Sequence, residues 1–499
     1  MFSTSRTFRT LALLSALLSC EVSGSQAGSP SAAEGDPVQS CNKIASSISN
    51  NSAVSFPGSS QYAQDVFHWT ASSADVAACS VEPGTAADVA IILRILGSDR
   101  TPFAIKGGGH ATNPGFSSTK GVQIAMSRFS AVNYHPENQT VDVGPGLTWD
   151  DVYAALQPQG VNVVGGRVSG VGVAGFSLGG GYSWLSNERG LTVDNIVSYE
   201  LVLPNGTITT VTENSQPDLF FGLKGGFNNF GIVTRFTMKA FPQGQVWGGL
   251  LIFGPNQTNE MNAATVKFAS QTNDLKAGLI TGYGFVPNVT LSTALLFYNA
   301  PTPPPGVFDD FLAIPTISSN VSTRNFLDLV QSYNSPLANG PRGRYQAVPV
   351  LSYTPEFLDA VVNETSTLGE KLNSTVNGSF ISYAMEPFQS RLFSFAPQGS
   401  SAYPPDRSQV ILPSNIYYAW SDAKDDDLMT SAIVESGNRL HQLAIRQGQD
   451  LTNVALYGNY AILGTPLESI YGQNLPRLQA LKAKYDPQNV MDLTGGWKF

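Results

Sequence analysis

Apolar residues recur at helical spacing over 86–96, behind a turn and cap at Pro83, Gly84 and Thr85. Gly97 and its polar followers end that helix, and a short apolar strand over 102–105 runs into Lys106. Strands are expected at 122–126, 131–134 and 140–143. Gly144, Pro145 and Gly146 then form a turn, and Thr148 or Asp150 caps a helix through Ala155 and Leu156. A strand at 162–164 precedes a second glycine-rich stretch. Alternation over 196–202 and 208–211 predicts a hairpin around Pro204, Asn205 and Gly206, followed by a helix at 218–224 and a β-branched strand at 231–237.

The pattern changes near Pro242. Alternating strands are expected at 245–255 and 277–298, helices at 307–313, 324–333 and 354–371, strands at 378–386 and 414–420, and a long helix at 424–447. This reads as a second domain, an antiparallel sheet covered on one face by helices. An apolar-aromatic strand at 454–460 and a terminal helix at 467–484 complete the chain. A length of 499 residues implies more than one core, and 48 glycines with 31 prolines favour a loop-rich α+β fold over a bundle. Only 13% of residues are charged, the net charge is -9 and no basic run occurs, which argues against nucleic acid as a partner.

Arg6 and Arg9 precede a short apolar segment over 11–20, the pattern of a cleaved secretory signal assigned to residues 1–25. Cleavage is expected between Ser19 and Gly28. No other stretch is long and apolar enough to cross a membrane. Nine Asn-X-Ser/Thr sequons (Asn50, Asn138, Asn205, Asn256, Asn288, Asn320, Asn363, Asn373 and Asn377) agree with a secreted, N-glycosylated protein. Loss of Cys20 with the signal leaves Cys41 and Cys79, which are expected to pair in an oxidising compartment. His68, His110, His135 and His441 lie far apart, so no metal site is expected.

Lys106, Gly107, Gly108, Gly109 and His110 carry the most specific chemistry. Glycines allow close approach of the backbone to a ligand, their N–H groups can hold phosphate, and an imidazole stands beside them. The stretch Gly170-x-Gly172-x-x-Gly175 matches a dinucleotide fingerprint literally, with Asp194 near the place of a ribose-binding acid. Gly179, Gly180 and Gly181 follow too soon for the long helix that such a fingerprint opens, so a nicotinamide site is not expected.

These residues bring out a family resemblance. Phe103 to His110, Val143 to Gly146 with Trp149, Gly165 and Gly166, Gly170 to Tyr182, Gly190 to Val197, Asp218 to Gly225 with Gly231, Ile232 and Val233, and Tyr457-Gly-Asn-Tyr460 resemble secreted FAD-linked oxidoreductases. The family is the vanillyl-alcohol-oxidase superfamily with a PCMH-type FAD domain, in its berberine-bridge-enzyme-like and oligosaccharide-oxidase branch. The resemblance implies a two-part FAD-binding domain, 40–240 completed by 455–499, with a substrate domain of antiparallel sheet covered by helices inserted at 245–450. It implies FAD held covalently through His110 alone, because Val168 stands where bicovalent members carry a cysteine.

Cofactor contacts are expected from Lys106, Gly107, Gly108, Gly109, His110, Ala111, Gly144, Pro145, Gly146, Gly165, Gly170, Val171, Gly172, Gly175, Gly180, Gly181 and Tyr182. Asp194, Asn195, Ile196, Val197, Gly231, Ile232, Val233, Tyr457 and Asn459 complete that set. Tyr182, Tyr457 and Asn415 are the expected catalytic residues. Asn cannot act as a base, so a phenolic mechanism through Tyr182 or Tyr457 is favoured, with Lys106 as the positive neighbour that a tyrosinate needs. Glu386 either lines the substrate cavity or ends its strand, and Trp247, Tyr283, Tyr298, Tyr417 and Trp420 are candidate stacking surfaces for a sugar. The implied reaction is oxidation of a C–OH or C–N centre of a small molecule by a monomeric enzyme, with electrons passed to O2. The small Val171 favours an oxidase, and a sugar oxidase or a dehydrogenase is the alternative.

Overall fold

The structure is a computed structural model that describes residues 35–286, 289–333 and 342–499. The expected signal segment, Cys20 and the Asn288 sequon lie outside the described residues. Among the described residues, three larger sheets organise the fold. The first orders Ala53–Ser55, Cys79–Glu82, Val122–Ala125 and Phe103–Lys106, with an antiparallel first pair and parallel pairing of the others. Helix Ala86–Asp99 covers it, with Thr85 accepting the Asp88 N–H as N-cap. The Cys41–Cys79 disulfide ties the first helix, Pro37–Ser47, to this sheet.

The second sheet is antiparallel: Val132–His135, Thr140–Val143, Ile232–Lys239, Ile196–Val202 and Ile208–Thr212. The hairpin around Gly206 is present as expected. The third sheet has eight strands drawn from Val246–Phe253 to Leu412–Trp420, all antiparallel. Helices Thr258–Gln271, Pro355–Asn373 and Asp426–Arg446 cover one of its faces, where Phe268, Val361 and Ile433 meet Tyr283, Tyr383 and Trp420 in a continuous core. The opposite face turns towards the first two sheets. Ser72 bonds Gly343 across that junction, and Thr112 receives hydrogen bonds from Arg344 and Tyr345.

Four elements differ from expectation. Residues 454–460 form turns instead of a strand: the N–H groups of Tyr460 and Ala461 both bond Tyr457 O, so the backbone is closed locally. Helix Thr258–Gln271 was not expected, because its buried stripe includes Thr258, Asn262 and Thr265. Strand Arg342–Val350 was hidden by Arg342, Arg344 and Gln346, polar residues spaced along one face. The terminal helix is broken into Leu467–Tyr471 and Leu475–Tyr485.

Candidate active site

Strand Phe103–Lys106 delivers the glycine loop, and Gly109 adopts a left-handed φ of 68° that a side chain would resist. The second glycine stretch lies against it. A Cβ on Gly108 would stand 2.5 Å from Gly172 Cα, and one on Gly172 would stand 2.5 Å from Gly108 N. The two clusters are therefore a single backbone contact. Trp149, set by helix Trp149–Leu156 with its Thr148/Asp151 capping box, lies beneath Gly165 and Gly166, where a Cβ would come within 2.5 Å of the indole. The short helix Val173–Leu178 leaves this contact and stops at the triple glycine.

The geometry fits a large cofactor. Among the described residues, no protein acceptor takes the N–H groups of Gly108, Gly109 or His110. Trp149 Nε1 and Ser177 Oγ are buried without partners, and open space borders Gly170 and Gly175. Donors left over on a glycine-lined cradle suit the phosphate and ring oxygens of FAD. His110 lies at the loop end, its imidazole stacked on Trp69 at 4.2 Å. Burial lowers its pKa to about 4, so the ring is neutral and its nitrogen lone pair is available.

Lys106 takes a different place from the expected one. Its ammonium donates to Gln64 O and Asp65 O, bracing the loop against helix Ser60–Asp65, and it faces none of the tyrosines. The cation near them is Arg167, which sequence reasoning missed.

Tyr182, Tyr457 and Tyr403 form one buried cluster. Tyr182 Oη meets Tyr403 Oη at 2.9 Å, and its ring stands edge-on to Tyr457 at 4.8 Å. Tyr457 Oη accepts the Gly181 N–H at 3.1 Å and the Asn459 amide at 2.8 Å. Burial pushes Tyr182 well above the ordinary phenol range. It pushes Tyr457 up to about 12, with the two accepted hydrogen bonds and Arg167 pulling back. Neither phenol is poised to ionise unaided.

Tyr460, the last residue of the same motif, is only half-buried and belongs to a second network. Its hydroxyl donates to Glu386 Oε1 at 2.9 Å and accepts from Arg167 at 2.9 Å, while Arg167 pairs directly with Glu386 at 2.6 Å. Burial raises the Glu386 carboxyl, with Arg167 and Tyr460 opposing that rise, and the Arg167 guanidinium is raised by its anionic partner. Glu386 therefore both ends its strand and reaches the site. The only acid on an apolar strand was the available signal; nothing in the sequence marked Arg167.

Several expected cofactor residues have other partners. Asp194 forms a buried ion pair with Arg407 at 2.6 Å and accepts the Leu191 N–H, so its carboxylate is not free for a ribose. The Asn195 amide is spent on Arg189 O and Leu191 O. Ile232 and Val233 are packed in the cores of the first two sheets behind Gly231, and Ile196 is likewise buried, whereas Val197 is exposed. Gly144 and Gly146 press on Phe129 O and Met126 O, which accounts for the turn, and Pro145 O faces Gly107. Gly180 and Gly181 have φ of 128° and 85°, which turn the chain under Tyr457. Ala111 is half-buried after His110, and Val171 bonds Trp149 N through its carbonyl.

Asn415 lies on the face of the large sheet opposite its helices, beside Tyr417. Of the five aromatics considered for sugar stacking, Tyr283, Tyr298 and Trp420 are buried in the helix-covered core and Trp247 packs against it; only Tyr417 faces the site, against Trp69. Among the described residues no cluster suits a metal ion, and no helix is long and apolar enough to cross a membrane.

Comparison with known proteins agrees with this geometry. Residues 77–212 match an FAD binding domain, and residues 457–494 match the berberine and berberine-like family. The FAD-dependent monooxygenase drtC of Aspergillus calidoustus is 34% identical over 443 residues, 84% of this chain and 82% of that one. Berberine-bridge-like enzyme 1 of Physcomitrella patens has the same fold at 22% identity, with a TM-score of 0.73 over 91% of this chain and 97% of that one. A carbohydrate oxidase from Microdochium nivale superposes with a TM-score of 0.75 at 20% identity, over 91% and 98%. The glycine cradle, the closing Tyr-Gly-Asn-Tyr turn and these likenesses place the chain in the berberine-bridge-enzyme-like family of PCMH-type FAD-dependent oxidoreductases.

Proposed function

We propose that this enzyme is a secreted oxidase that carries FAD covalently through His110 and oxidises a C–OH centre of a small molecule to a carbonyl. The carbinol C–H leaves as hydride and the O–H as a proton. O2 ends up with both, together with the two electrons of the hydride, and becomes H2O2. The observation that carries this reading is the Arg167–Glu386–Tyr460 network, whose half-buried Tyr460 neighbours Tyr345, the ring that stacks towards His110. Bound FAD supplies the two-electron acceptor and its reoxidation by O2. The protein's own task is the hydroxyl proton. Tyr460 Oη takes it while passing its own proton to Glu386 Oε1, and the Arg167 N–H at 2.9 Å holds the charge that develops on the phenol oxygen. A carboxylate whose pKa burial has raised is a stronger proton acceptor than a free one.

Tyr182 and Tyr457 support this site from within the buried cluster, and Asn415 serves it as a substrate contact. The cofactor part is assigned to 40–240 with 455–499, and the substrate part to 245–450. A neutral His110 imidazole supports attachment, and Val168 supplies no thiol for a second link. Secretion and N-glycosylation are supported by the apolar N-terminal segment and by the exposure of all eight sequon asparagines among the described residues. A monomer is the simplest assembly for this reading.

Two measurements test it. Acid-denatured holoenzyme should stay yellow, and His110→Ala should release its flavin; a colourless denatured chain overturns the covalent link. One H2O2 per carbonyl formed, with no atom of 18O2 in the product, supports an oxidase. Label in the product would instead favour the activity that the name of the Aspergillus relative describes.

A further inference from the structure

The face of the large sheet opposite its helices, which turns towards the first two sheets, has a specific relief. In strand Ala277–Val286 buried and half-exposed residues alternate, and Phe380–Met385 does the same. Tyr283, Tyr383, Ile416 and Tyr418 point into the helix-covered core, so their sequence neighbours form the other face. Across five strands, Thr293 lies opposite Gly282, Gly282 opposite Ala384, Ala384 opposite Asn415, and Asn415 opposite Ala347. Every side chain in that row is small except Asn415. Four strand spacings make it about 19 Å long.

The adjoining row rises at one end, where Tyr417 and Tyr345 lie opposite each other with ring centroids 4.9 Å apart. Tyr345 is parallel to Trp69 within 2°, and Trp69 to His110 within 12°, so the wall continues to the flavin loop. On the other side, next along its strand from Met385, stands Glu386.

Polar side chains are few on the floor of this trough and stand mainly along its edges, at Tyr345, Tyr417 and Glu386. Thr293 Oγ1 donates to Gly282 O, and Ser382 Oγ in the adjoining row donates to Tyr417 O. Among the described residues no protein group bonds the Asn415 amide. A carbohydrate buries several hydroxyls per ring, each of which is costly without a partner. A flat conjugated ring system needs contact area and π faces, which a level floor and an aromatic wall provide.

We infer that the trough binds a planar, hydrogen-bond-poor polycycle, held at one carbonyl or hydroxyl by Asn415 and lying with its oxidised carbon towards Tyr460. The turnover part of this inference rests on the oxidase reading above; the binding part does not.

The test uses flavin-loaded full-length enzyme with three probes: 9-fluorenone, 9-fluorenol and cellobiose. Fluorenone should perturb the flavin absorbance saturably, and cellobiose should not. Ala384→Phe, which raises the middle of the floor, should weaken fluorenone binding about tenfold or more, while Ala384→Ser keeps it. Asn415→Leu should weaken it by about three- to tenfold through loss of one hydrogen bond. Fluorenol reducing the flavin faster than cellobiose supports the assignment. Fluorenone binding without fluorenol oxidation also supports it, and removes the oxidase reading alone. Saturable cellobiose binding with none by fluorenone overturns the inference, as does fluorenone binding that is indifferent to Ala384→Phe.

Discussion

Tyr460→Phe removes one oxygen from the network and leaves the rest standing. The deleted hydroxyl contacts Arg167 and Glu386 at 2.9 Å each, but those two remain joined at 2.6 Å, so no buried charge loses its counter-ion. The Phe ring also retains the edge-on contact with Tyr457 at 4.9 Å. Two hydrogen bonds to charged groups, replaced in part by the closer ion pair, put the folding cost at about 1–3 kcal/mol. The catalytic cost is larger. A positioned acid–base group contributes about 10²–10⁴-fold, or roughly 3–5 kcal/mol of barrier. Anaerobic stopped-flow mixing of flavin-loaded enzyme with the alcohol that wild type turns over fastest should therefore show flavin reduction slowed by two orders of magnitude or more. Flavin content and reoxidation in air should be unchanged. Reduction within about threefold of wild type, less than 1 kcal/mol, refutes the relay.

Flavin reduction should fall as pH drops through the raised ionisation of Glu386, above the ordinary 4.5, because only the carboxylate accepts the Tyr460 proton; Glu386→Gln should be slow at every pH and lose that limb. Tyr182→Phe gives up only the bond to Tyr403, so it should slow reduction less than about tenfold, and a hundredfold loss in stopped-flow would return the proton step to the buried cluster. Asp194→Asn should lower stability by about 3–5 kcal/mol by stranding Arg407, while Asp194→Leu with Arg407→Met should recover much of it in denaturant melts.

Local signals were legible wherever a residue's type is dictated by its own backbone. Gly109, Gly180 and Gly181 are read from sequence because the turns need positive φ, and Thr85 and Thr148 because helix ends need caps. The Cys41–Cys79 pair followed from counting. Long-range partners were not legible. Asp194 stands at the spacing of a ribose acid, yet Arg407, 213 residues later, takes its carboxylate. Arg167 looks like any loop arginine until Glu386 arrives from the large sheet. The Tyr-Gly-Asn-Tyr turn was misread as a strand because it closes a short apolar run, Val454 to Tyr457, of strand length. Its two tyrosines serve separate networks, Tyr457 buried and Tyr460 half-buried, which gives an apolar-aromatic pattern without a ladder.

The closing segment has a consequence for synthesis. Asn113, just after the flavin loop, bonds Ala461 and Leu463; Phe103 bridges Thr494; Asn229 holds Trp497 O, and the Trp497 indole in turn donates to Gly458 O. The loop that carries His110 is thus braced by residues translated hundreds of positions later, which also bring Tyr457 and Tyr460. On the ribosome, the glycine cradle emerges early but stays unfinished until those residues leave the exit tunnel. Flavin capture is therefore expected to wait for those residues, and a chain that lacks residues 460–499 should retain the parts of the cradle but capture no cofactor.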